Sequence, residues 1–118
     1  MTPELIDHFR NPRNVGELPE PAITVNVENP ICGDQLRLSA RAENGCIVEV
    51  AYKVRGCTAS IATGSALTEI LLNREIRALK SITKQQLDDA VGGLATASKH
   101  AASLCIDAVR ALAKQLGV

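Results

Sequence analysis

The chain has 118 residues, the span of one ordinary domain. Thirteen basic residues offset thirteen acidic ones, so there is no cationic excess to bind nucleic acid broadly. No apolar run approaches the ~20 residues that span a bilayer, and Glu4 and Asp7 in the opening stretch do not suit a secretory signal.

Hydrophobic residues make up 46% of the chain and aromatics only 2%, so the core has to be built from Leu, Ile, Val and Ala. The opening "TPELIDHF" predicts a short helix, with Thr2 as cap, Pro3 in the first turn and acidic residues at the positive end. Residues 10–21 hold three prolines and a glycine and read as loop. Residues 22–28 alternate Ile23, Val25 and Val27 with polar partners, a strand pattern. Residues 35–42 put Leu36, Leu38 and Ala40 on one face. The turn signal "ENG" at 43–45 leads into a third strand at 46–54. After Gly56 the period changes. Ile61, Leu67, Ile70 and Leu71 recur at helical spacing across 58–73, where Gly64 and several Ser and Thr residues lower helix propensity but permit close packing on a sheet. Thr83 caps a short helix at 84–91, residues 92–100 are slack, and 101–116 form the last helix. Three strands followed by helices predict one α+β domain over 1–118, a three-stranded antiparallel sheet packed against helices.

The four cysteines are Cys32, Cys46, Cys57 and Cys105. With no secretory signal, a reducing, cytoplasmic setting is expected, where thiols are free, metal-bound or catalytic. In "NPICGDQLRL", Gly33 lets the chain turn and Asp34 lies within a few bonds of Cys32. A carboxylate beside a thiol disfavours the thiolate, but a cation stabilises both anions. The stretch is therefore either a metal-binding pair or a turn with an incidental cysteine. Cys57, in "VRGCTAS", falls where the third strand hands over to the long helix. It is either an exposed thiol favoured by the helix dipole or a buried cysteine closing the strand. Cys46, at a strand start beside Asn44–Gly45, reads as a small apolar filler.

The segments "DHFRNPRNVGELPEP", "NPICGDQLRL", "VEVAYKVRGCTASIATGSALTEILLN" and "KHAASLCIDAVRAL" together resemble the NifU N-terminal domain, the IscU/SufU-type iron–sulfur cluster assembly scaffolds, in order and over nearly the whole chain. The most specific pieces are "NPRNVG", the Cys-Gly-Asp at 32–34, and the Gly-Cys at 56–57 before a small-residue helix. The resemblance implies the SufE/NifU-like two-layer domain, in agreement with the elements above. It also implies a scaffold rather than an enzyme. Cys32, Asp34 and Cys57 would hold a transient [2Fe-2S] cluster, iron would be bound, a cysteine desulfurase would supply sulfur, and apo iron–sulfur acceptor or carrier proteins would receive the product. There is no room for the insertion that marks SufU-type members, so the chain looks closer to the IscU type.

Two departures from the family pattern stand out. The family's third cysteine follows a histidine, and the matching pair here is His100 and Ala101. Cys105 comes one helical turn later, about 6 Å along the axis. Either Cys105 replaces the missing ligand from the same helix face, or it is core, since Cys105, Val109, Leu112 and Leu116 form an apolar stripe. His100 is either a ligand, because neutral imidazole binds iron and zinc well, or a solvent-facing residue near a helix start. The second departure is "LATASKH" at 94–100, which lacks the proline of the segment that a dedicated chaperone reads, and so argues against delivery by that chaperone.

A [2Fe-2S] unit needs four terminal protein ligands. Cys32, Asp34 and Cys57 supply three, and His100 or Cys105 the fourth. Oxygen matches a sulfide-rich cluster poorly, which suits a carrier that must release its cargo. With Ala101 in place of the third thiol, Cys57 or Cys32 would have to receive the sulfur. Two alternatives remain: a zinc-binding sulfur-relay partner of a desulfurase using the same residues, and a degenerate member acting only as an interaction module. A conventional thiol enzyme is disfavoured, since neither histidine has a sequence context tying it to a cysteine as base.

Overall fold

The computed structural model describes residues 1–118, which fold as α1 (Pro3–Arg10), β1 (Ile23–Glu28), β2 (Gln35–Glu43), β3 (Cys46–Arg55), α2 (Thr58–Leu71), α3 (Lys84–Ala90) and α4 (His100–Leu116). Short 3-10 helices at Ile76–Ser81 and Thr96–Ser98 precede α3 and α4. No helix is long and apolar enough to cross a membrane.

The three strands form an antiparallel sheet in the order β1-β2-β3. Register places Val25 beside Leu38 and Leu38 beside Tyr52, with Leu36 beside Val54 and Ala40 beside Val50, so one face is apolar. Helices α2 and α4 cover that face. The opposite face carries Asn26, Arg37 and Lys53 side by side. Asn44 and Gly45, at φ 52° and 77°, make the tight connection between β2 and β3 that the Asn-Gly pair favours.

Helix α2 is the centre of the molecule. Ala59, Ala62, Ala66 and Leu67 are buried in it, and so are Ser60, Thr63, Ser65 and Thr68. Its small residues serve close approach: a Cβ at Gly64 would meet the Tyr52 ring at 2.7 Å. The Tyr52 hydroxyl donates to the Ile61 carbonyl at 2.8 Å, tying β3 to α2. At the start of α1, Thr2 Oγ1 accepts from Leu5 N–H at 3.0 Å, as the sequence predicts for a cap.

Three local features differ from the sequence expectation. The loop after α1 is not wholly irregular, because Val15 bridges in parallel to Tyr52. Tyr52 N–H donates to Asn14 O and Gly16 N–H to Tyr52 O, both at 2.9 Å. Helix α2 stops at Leu71, and Asn73 (φ 69°) turns the chain into the 3-10 helix at 76–81, which short-range periodicity does not announce. The slack stretch before α4 contains the 3-10 turn at 96–98, so the helix starts with His100 itself.

Candidate metal centre

The loop between β1 and β2 is held by one side chain. Asn29 Oδ1 accepts from Ile31 N–H at 2.9 Å and Cys32 N–H at 3.2 Å, an Asx turn of the type an Asn-Pro pair favours. Gly33 N–H donates to Asn29 O, and Asn29 N–H to Asp34 O, both at 2.8 Å. Gly33 closes the turn at φ +78°, a left-handed conformation that glycine takes at little cost. The result leaves the Cys32 thiol exposed while Asp34 turns inward, only 8% exposed.

Cys57 is the residue at which α2 begins, and its thiol is exposed. The Asp34 carboxylate lies against this junction. Asp34 Oδ2 accepts from Ser60 Oγ at 2.7 Å and Cys57 N–H at 3.4 Å. Gly56 makes room for it, since a Cβ there would fall 2.5 Å from the carboxyl carbon. Burial pushes the Asp34 carboxyl upward, but hydrogen bonds from Ser60 and Cys57 and the nearby His100 outweigh it and hold the group below the usual carboxylate range.

His100 comes from the other side, as the first residue of α4. Its Nε2 is 3.4 Å from Asp34 Oδ2 and 3.4 Å from Cys57 Sγ. One ligand atom each from Cys32, Asp34 and His100 lie within 4.8 Å of one another. The tautomer follows from the other ring nitrogen. Nδ1 is 3.2 Å from the Ala97 carbonyl, which can only accept, so Nδ1 carries the proton. In the neutral ring Nε2 is then a lone pair facing a carboxylate oxygen and a sulfur. The Cys57 S–H can donate to that lone pair, and a cation among the three groups would take the place of that proton. Two thiols, one carboxylate and one imidazole with its far nitrogen fixed on a carbonyl are donors suited to zinc or iron.

The structure brings Cys32, Asp34, Cys57 and His100 to one end of the sheet, where the β1–β2 loop and the first turns of α2 and α4 meet. It does not bring Cys105 there. Cys105 is 1% exposed within the apolar core, and burial pushes its thiol up to about 12, so it has neither access nor the thiolate that a metal needs. Of the two sequence readings, the structure places it in the apolar stripe. Ala101 is fully buried, so no side chain from that position reaches the surface cluster. Cys46 is half-buried at the start of β3 and takes no part.

Sequence reasoning missed Asn29 and Ser60. Asn29 was signalled by the proline after it. Ser60 stands three residues past Cys57, where a side chain can reach back over the first turn of its helix.

A family model for the NifU-like N terminal domain matches residues 1–116. The iron–sulfur cluster assembly scaffold protein IscU 1 of Archaeoglobus fulgidus is 35% identical over 91% of this chain and 70% of its own length. The zinc-dependent sulfurtransferase SufU of Bacillus subtilis is 32% identical over 68% of this chain and 54% of its own. A NifU-like N-terminal structure from Brucella abortus superposes with a TM-score of 0.65 at 18% identity, covering 93% of this chain and 77% of the other, which supports the fold. The chain belongs to the NifU-like N-terminal domain family.

Proposed function

We propose that this protein is an iron–sulfur cluster assembly scaffold that takes sulfur from a cysteine desulfurase and holds a labile [2Fe-2S] cluster as cargo for transfer. The observation that carries the reading is the grouping of Cys32, Asp34 and His100, whose donor atoms lie within 4.8 Å of one another, with the exposed Cys57 thiol 3.4 Å from His100 Nε2. Cys32, Cys57, Asp34 and His100 are the four ligands. Cys57 or Cys32, the accessible thiols, takes up the sulfur: the thiolate attacks the outer sulfur of the donor's persulfide, a new S–S bond forms, and the donor leaves as its own thiolate. Asp34 is the weak ligand for a sulfide-rich cargo, which keeps the site able to release it.

Anaerobic reconstitution with iron, sulfide and a desulfurase tests this. Visible charge-transfer absorption that disappears in Cys57→Ala and weakens in His100→Ala supports the reading, and a protein that stays colourless overturns it. Replacing Asp34 with Ala should lengthen the lifetime of the assembled cluster; faster loss would show that the carboxylate is not the weak point.

A second reading is favoured by the same donor set together with the SufU relative, whose name describes a zinc-dependent sulfurtransferase. In it Cys32, Asp34, Cys57 and His100 hold zinc and the protein relays sulfur without building a cluster. A colourless protein with one tightly held zinc per chain would favour it.

A further inference from the structure

Four contacts converge on the Asp34 carboxylate, and they differ in kind. Cys57 N–H is distant at 3.4 Å. His100 Nε2, also at 3.4 Å, carries a lone pair in the neutral ring and gives the carboxylate no hydrogen bond when that lone pair ligates a metal. Gly56 supplies space and no bond. Only Ser60 Oγ makes a short hydrogen bond, at 2.7 Å, and it is 1% exposed, so water does not compete for it. A carboxylate can only accept, so the single hydroxyl proton of Ser60 is committed to Asp34. The oxygen is thereby left as an acceptor toward the Cys57 sulfur, 3.4 Å away.

We propose that Ser60 is a positioning residue of the metal centre: its buried hydroxyl fixes the Asp34 carboxylate against Gly56 and is the one strong hydrogen bond that the carboxylate keeps when metal binds. This rests on the reading of Cys32, Asp34, Cys57 and His100 as a metal centre. Ser60 touches no metal itself and acts through Asp34. Groups that orient a metal ligand in this way carry a measurable share of affinity, and losing one weakens binding about 10–100-fold.

The test is a double-mutant cycle on the full chain, read with Zn²⁺ affinity by chelator competition and with the absorption of the Co²⁺-substituted protein. Ser60→Ala should weaken Zn²⁺ about tenfold or more and shift the Co²⁺ d–d bands, while the metal-free melting temperature stays within a few degrees. In an Asp34→Ala background the same Ser60→Ala change should have no further effect, because its target is gone. The proposal is overturned by a Ser60→Ala protein that binds Zn²⁺ like the parent, by a loss of affinity that persists undiminished without Asp34, or by a fall in stability with unchanged Co²⁺ bands. A parent protein that takes up neither Zn²⁺ nor Co²⁺ overturns the metal-centre reading itself, so the two failures are distinguishable.

Discussion

At residue 56 a single hydrogen stands where any other amino acid would place a carbon 2.5 Å from the Asp34 carboxyl group. Gly56→Ala therefore forces the carboxylate out of its seat or moves the strand end beneath it. Overpacking of this kind costs about 1–3 kcal/mol, and urea denaturation together with a Zn²⁺ titration should show both a lower midpoint and weaker binding. The thiols separate just as sharply. Native-state alkylation followed by mass spectrometry should label the exposed Cys32 and Cys57 quickly and Cys105 only on unfolding, because Cys105 is enclosed and its thiol pushed up to about 12. Cys105→Ser should destabilise the protein by about 1–3 kcal/mol by placing a hydroxyl in an apolar core and leave metal affinity unchanged, whereas His100→Ala should do the reverse. That Cys32, Asp34 and Cys57 stand at a turn or an element boundary was legible from their neighbours in sequence, whereas their expected part in one site came from the family resemblance alone. The choice between His100 and Cys105 was not legible. Both fit helical spacing, and the direction each faces depends on how α4 packs against the rest of the chain.

At the scale of elements, α2 sets intrinsic preference against packing. Alanine is favoured over glycine inside a helix by about 1 kcal/mol, yet Gly64→Ala should be destabilising by about 1–3 kcal/mol, because the added methyl would meet the rigid Tyr52 ring at 2.7 Å. A thermal melt reads the sign, and a rise in melting temperature would mean that the ring moves aside easily. The strands could be read from alternation, and α1 and α3 from their Thr caps, because those signals are local. The parallel bridge of Val15 to Tyr52 joins residues 37 positions apart and leaves no period in the sequence. The 3-10 helix at 76–81 is equally silent, since only Leu79 within it is buried.

Across the whole molecule, the N-terminal segment is fastened to α2 by a buried histidine. His8 Nδ1 lies 2.7 Å from Ser65 Oγ and 3.1 Å from Arg13 Nη1, a group that only donates, so Nδ1 is a lone pair and Nε2–H faces Glu69 Oε1 at 3.4 Å. Burial first, then Arg13, push the His8 pKa below its ordinary 6.5, with Glu69 and Asp7 opposing. The unfolded chain therefore takes up a proton at a pH where the folded one does not. Stability is fully present above about pH 6.5 and falls as the pH drops from there toward the lowered folded value. Urea midpoints at pH 7.5 and 5.5 should show the drop, and His8→Gln should reduce the difference between them.

The pairing of Asn14–Gly16 with Tyr52 also governs how this molecule meets others. A sheet with a bare outer strand invites another chain to hydrogen-bond onto it. Here the rim beside β3 is already occupied by the protein's own N-terminal loop. An incoming strand would have to displace that loop, and with it the Asn14 side chain that donates to Thr68 on α2. Lateral growth of the sheet from that side would begin with a partial unfolding of the N-terminus.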